Sequence, residues 1–436
     1  MKTHAAILIC FGMTLTVSSQ NVLSGQAAVS ETEAQYSRSQ AVRGEAIAAF
    51  RAGELATALD LMKRALVDRP TNTALLSNAL FLAVETGSIE DAADFANRFV
   101  ALGLVPGAGV QAKMQEKLPA ETWQQFSEKF GALIQPKGAA ENLLSIPTNH
   151  KLVEGVATDG RGTYFLSTVV SNTILIVSPT GEISVLVNGK DHATGSFFGI
   201  AYSPQEHALY VTHGRVDQTI GMPEGEGQTG VMRIDPLSGE VTGDWPLPGG
   251  TENQQIADIT VGPDGTVYAS QAQSGGIYRI NGEKLDKLDT GKQFRSPQGM
   301  AFLENGTLLM ADYGRGLWRI NTTTSEANLV SVPPTISLIG IDGLLAHKGR
   351  LIAIQNGIAP QRVIEIELDD DRETVTGIKV LAQGLTDFDE PTLGASTPDG
   401  LVFVASSQWP KYAPGGLVVK DQTLKPTSIL LLPDQP

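Results

Sequence analysis

Acidic and amide side chains recur at matched places through the last two thirds of the chain. Just ahead of successive apolar stretches stand Glu154, Phe198, Ala257 with Asp258, Gln298, Asp342 and Glu390. At the ends of the stretches that follow are Ser167, His213, Gln271, Asp312, Gln355 with Asn356, and Ser406 with Ser407. Carboxylate and amide oxygens suit a hard cation such as calcium, which takes about six to eight oxygen ligands. The six histidines are dispersed, with no His–His–carboxylate spacing for zinc or iron. Only His213 falls in the matched set, where it is expected to project towards a shared centre and bind substrate.

The elements that must position these residues follow one grammar. From about residue 141 the apolar period is 2, and a short strand, a turn and two further strands recur. Copies occupy 153–177, 199–212, 258–280, 299–320, 343–366 and 392–406, with starts 41 to 59 residues apart. Asp-Gly at 159/160, 264/265 and 399/400, and Asn305-Gly306, supply the positive φ of hairpin turns. Six four-stranded units of this size predict a mainly β protein, a six-bladed β-propeller over 141–436. The strand near 143–146 is expected to join the last blade and close the ring, which removes sheet edges. Inner-strand starts then converge on a central channel.

Ahead of the propeller, over about 40–135, the apolar period is 3.6. Gly53, Ala58, Ala65 and Pro70 mark one stretch, and Gly87 and Ala92 recur 34 positions after Gly53 and Ala58. This resembles the tetratricopeptide repeat, without its large early aromatic. Residues 122–133 predict a further amphipathic helix, and 135–140 a linker. The segment reads either as a peptide-docking groove or as a packing and spacer module.

The first 27 residues read as a secretory signal: Lys2, then an apolar run over 5–17, then small and polar residues. Export to a bacterial periplasm or exterior is the expectation. Cys10, the one cysteine, lies in this segment, so a mature chain has no disulfide, thiolate nucleophile or cysteine–zinc site. A net charge of −15 and the lack of a Lys/Arg cluster argue against nucleic acid as a partner. No stretch is apolar for long enough to span a membrane. Gly-x-Ser-x-Gly, phosphate-cradling Gly-Lys-Ser/Thr and His-Glu-x-x-His motifs are absent.

The openings Glu154-Gly-Val, Gln298-Gly-Met-Ala and Asp342-Gly-Leu resemble those of the gluconolactonase and senescence-marker-protein family, within a wider group that includes NHL-repeat propellers. The likeness covers roughly 145–436. It implies a divalent cation such as Ca2+ at Glu154, Gln298 and Asp342, and no organic cofactor. Ala257 and Gln298 stand where the family carries asparagines. By this resemblance Asp342 or Asp312 acts as general base, and Asn356 or Gln271 donates to the oxyanion. His213, Gln271 and Trp409 would bind a small lactone or ester, and the activity is a metal-dependent hydrolase. The other reading is a non-catalytic envelope scaffold that binds a protein or peptide through the propeller face and helical repeats.

Overall fold

The structure, a computed structural model, describes residues 31–192, 194–221, 229–249 and 254–434. The expected secretory signal at 1–27 lies outside them. Two compact units divide the chain: residues up to 99 with 106–128, and 100–105 with 129 onwards.

Six helices come first: α1 (Glu31–Arg51), α2 (Leu55–Asp68), α3 (Thr73–Thr86), α4 (Ile89–Ala101), α5 (Ala108–Lys117) and α6 (Ala120–Leu133). They begin earlier than the 40 expected from periodicity. The 34-residue spacing corresponds to successive helix pairs. Gly53 follows α1 and Gly87 follows α3, both with positive φ, and Ala58 and Ala92 are fully buried in the second helix of each pair. A left-handed residue ends a helix by returning its N–H to the last carbonyls, as Gly87 does to Ala83 and Val84.

The second unit is a six-bladed propeller. Among the described residues there are six four-stranded antiparallel sheets, over 153–188, 196–246, 256–287, 297–329, 341–383, and a sixth that is composite. The sixth runs outward from Gly394–Thr397 through Gly400–Val404 and Thr427–Pro433 to Glu141–Ile146. Ring closure by the 141–146 strand is therefore as expected. The glycines at 160, 265, 306 and 400 all have positive φ at the anticipated turns.

Alternation along each strand builds the core. In blade 2, Leu209 and Val211 face blade 1, while Ala208 and Tyr210 face blade 3. A strand buried on both faces has no polar side to spare, which explains the nearly continuous apolar runs. One apolar cluster fills each of the six gaps between blades.

Where the inner strands crowd around the axis, small residues are needed. A Cβ on Gly299 of blade 4 would lie 2.3 Å from Leu344 N and 2.6 Å from Asp342 O of blade 5. Gly155, Gly199 and Gly343 abut the next blade in the same way. Blade 3 breaks the rule with Asp258, whose Oδ2 instead accepts from Met300 N of blade 4 at 3.2 Å.

Candidate active site at the channel

The register of the first five inner strands slips near the same end, across 153/155, 197/200, 256/258, 297/300 and 341/343. Such irregularities re-aim a side chain. They fall at Glu154, Phe198, Ala257, Gln298 and Asp342, the positions singled out from sequence.

Glu154 is 5% exposed. Burial raises its proton affinity most, followed by the negative charge of Asp342, with smaller contributions from Glu390 and Asp258. A group on blade 1 that feels carboxylates of blades 3, 5 and 6 must lie near the axis. The structure thus brings Glu154 and Asp342 into one site. Burial lifts Asp342 to about 6, Asp258 to about 7 and Glu390 to about 7, the last with help from Asp342. Asp258 and Glu390 complete an acidic quartet; all four positions stand out in the sequence, though only Glu154 and Asp342 were expected to have a role.

Neutral donors hold the quartet in place. Trp409 Nε1 donates to Glu154 Oε2 at 2.5 Å. Asn356 Nδ2 donates to Asp342 Oδ2 at 2.7 Å, and Tyr313 OH donates to Asn356 Oδ1 at 3.0 Å. Gln361 Nε2 donates to Glu390 Oε2 at 3.2 Å. Thr392 Oγ1 donates to Glu154 O at 2.6 Å, joining blade 6 to blade 1 beside the site.

Trp409 reaches Glu154 because blade 6 makes a long excursion between Val404 and Thr427. This segment packs Tyr412 and Trp409 with Phe198, Leu152, Val169 and Val170 of blades 1 and 2. Leu152 N donates to Tyr412 OH at 3.2 Å. Phe198 is thus part of an apolar cover and supplies no polar group. On the opposite side of the quartet a cavity of about 420 Å³ begins at Asp258 and Val156 and extends along the inner strands to Thr158 and Ser396.

Three expected site residues are placed elsewhere. Asp312 is fully buried, and its carboxylate accepts backbone N–H groups of Arg295 (2.7 Å), Ser296 (3.3 Å) and Gly314 (3.1 Å). It ties loops of blade 4 together and has no free geometry for a base. His213 does not project into the channel as expected. Its Nε2 lies 3.4 Å from Asp244 Oδ1 and against Gly230, both on strands farther out in blade 2. Gln271 Oε1 accepts from Ser274 N and Oγ, both at 2.6 Å, while its buried Nε2 has no hydrogen-bond partner. The end of a second strand therefore serves mainly to brace the turn beyond it. Asn356, expected to donate to an oxyanion, gives a hydrogen to Asp342.

Gln298 donates Nε2 to Ser296 Oγ at 3.1 Å. Among the described residues no three His, Cys, Asp or Glu side chains are grouped to hold one metal ion. The expected set of Glu154, Asp342 and Gln298 has two carboxylates and one amide. Its oxygen chemistry fits a hard cation, and buried, mutually repelling carboxylates are the setting that one relieves.

No family model matches the chain, and no curated protein does. Solved structures do resemble it. A PQQ-bound aldose sugar dehydrogenase from Streptomyces coelicolor is 16% identical, over 68% of this chain and 98% of that one, with a TM-score of 0.46. A gluconolactonase from Xanthomonas campestris is 15% identical, over 69% and 93%, with a TM-score of 0.44. A virginiamycin B lyase from Staphylococcus aureus is 15% identical, over 59% and 78%, with a TM-score of 0.43. Chemistry is argued from the site, since one fold hosts many activities.

Proposed function

We propose that this chain is an exported hydrolase of small lactones or esters, acting at the acidic end of the channel with a hard divalent cation. The observation that carries the reading is the convergence of Glu154 and Asp342, from blades 1 and 5, on one buried acidic centre. Glu154 and Asp342 would hold the cation with Gln298, and the remaining ligands would be water. When bound, the cation supplies polarisation of the scissile carbonyl.

The chain's own groups account for the rest. Asn356 fixes Asp342 through Oδ2, so Oδ1 is the atom that takes a proton from the attacking water. A carboxylate in this position can take up that proton as a general base. Glu390, lifted to about 7, can hold a proton for return to the leaving oxygen. The cover built from Phe198, Trp409 and Tyr412 keeps bulk water from the acidic end.

The test is elemental analysis of the purified protein, calcium-dependent thermal denaturation, and a panel of lactones and esters. Bound metal, a raised midpoint and hydrolysis are expected, each lost in Glu154→Gln and Asp342→Asn. A protein that holds no metal, gains no stability from it and hydrolyses nothing would defeat the proposal.

A further inference from the structure

The far end of the same inner strands carries a second constellation. His347 closes the inner strand of blade 5, and Ser396 lies on the inner strand of blade 6. Ser396 is exposed and lines the cavity of about 420 Å³. His347 is 1% exposed. Its Nδ1 lies 2.7 Å from Ser396 Oγ, and its Nε2 lies 2.8 Å from Asp434 Oδ1.

The protonation pattern follows from Asp434. Lys348 Nζ donates to its Oδ2 at 2.6 Å and Arg350 Nη2 to its Oδ1 at 2.6 Å. Lys348, and then His347, hold the Asp434 carboxyl far below the usual carboxylate range. An ionised carboxylate only accepts, so His347 must carry its hydrogen on Nε2. In the neutral imidazole Nδ1 is then an acceptor, and Ser396 Oγ–H donates to it. That is the arrangement of an activated serine, with the two ring nitrogens exchanged relative to the usual one.

The scaffold is rigid. Lys348 and Gly349 both have positive φ and form a two-residue hairpin turn, which pairs His347 with Arg350. Lys348 Nζ also donates to Pro398 O at 2.8 Å, tying this turn to the next blade.

We propose that Ser396 is a nucleophile for carboxylic esters, with His347 as its base and Asp434 as the residue that orients and charges the pair. This goes beyond the hydrolase proposed at the acidic end. The two sites are roughly 13 Å apart along the strand, by the spacing from Thr392 to Ser396. Leu344, Ile259 and Phe302 line the intervening cavity together with Asp258, Gln205 and Thr260, so the substrate class is a small ester with both apolar and polar parts.

The steps balance without a co-reactant other than water. Ser396 Oγ bonds to the carbonyl carbon as its proton passes to His347 Nδ1, and the carbonyl electrons move to oxygen. Collapse breaks the bond to the alkoxy oxygen, which leaves with the Nδ1 proton as the alcohol. Water attacks the acyl-serine while His347 again takes a proton. Collapse then releases the acid and returns that proton to Ser396. Among the described residues the inner strand of blade 6 has no strand partner on its channel edge, and N–H groups on that edge are the donors available to the oxyanion.

Covalent labelling with a fluorophosphonate probe tests this without turnover. Intact wild-type chain is expected to gain one phosphonyl group, located at Ser396 by peptide mass, in the presence or absence of EDTA. Ser396→Ala should abolish the label. Asp434→Asn should slow labelling by roughly 10²–10⁴-fold while the thermal midpoint shows that the propeller is still folded. If that variant unfolds, His347→Gln provides the same comparison. No label at Ser396, or equal labelling rates in wild type and folded Asp434→Asn, would overturn the proposal. EDTA-insensitive labelling would stand whether or not the acidic end proves active.

Discussion

Trp409 gives its indole hydrogen to Glu154 across 255 positions of sequence, at 2.5 Å. The bond joins an excursion of blade 6 to the first blade and partly offsets the burial of the carboxylate. Trp409→Phe keeps the ring but removes the donor. A hydrogen bond to a charged group contributes about 1.5–3 kcal/mol. Denaturant unfolding should show that loss at pH 8, where Glu154 is more often ionised, and a smaller loss at pH 5.

The acidic quartet makes stability depend on pH in a definite direction. Asp342, Asp258 and Glu390 titrate at about 6, 7 and 7 when folded, against about 4 when unfolded. Between those values the folded chain binds more protons, so its stability falls as pH rises. The thermal midpoint should drop between about pH 4 and 7 and level off above. Glu154→Gln with Asp342→Asn should make the curve shallower, with the remaining slope coming from the burial of Asp258 and Glu390. Added calcium should restore the midpoint at pH 8 in the wild type alone.

Gly299 is the tightest point of the ring beside the site. Gly299→Ala would drive a methyl into the backbone of Asp342 and Leu344. Overpacking of this sort costs about 1–3 kcal/mol. Displacement of Asp342 should also weaken calcium-dependent stabilisation, read by thermal denaturation with and without the ion. A variant with both quantities unchanged would mean that the inner strands can separate freely.

Asp312 separates bracing from chemistry. Asp312→Ala leaves three backbone N–H groups without their acceptor, and about 3 kcal/mol of stability should be lost. Hydrolysis per folded molecule should be preserved below the unfolding transition. A fall in kcat at full folding would return Asp312 to the reaction.

The blade grammar was legible because period-2 alternation and Asp-Gly turns are local, and both map directly onto strands and positive-φ glycines. Glu154 and Asp342 were legible for the same reason: each directly precedes a glycine that opens an inner strand. Asp258 was harder, since it occupies the crowding position that other blades give to glycine, one place beyond the residue compared. Trp409 was expected to bind substrate, and its bond to Glu154 carried no local mark, because that pairing is set by the path of a long excursion. His213 and His347 show the limit most clearly. Both end strands, but one turns outward within its blade while the other meets Ser396 and Asp434 through two different hairpins. Pairings between blades of this kind need the ring itself.

The sixth blade takes its outermost strand from residues 141–146 and the other three from 394–433. Nearly three hundred residues must be in place before that sheet can zip, so the ring behaves as a clasp whose last hook comes late. Long-range pairings of this type slow folding. They also make the acidic end a product of completion: Thr392, Trp409 and Glu390 reach Glu154 and its neighbours only once the clasp has shut, so an unfinished ring would have neither its pocket nor its altered carboxylates.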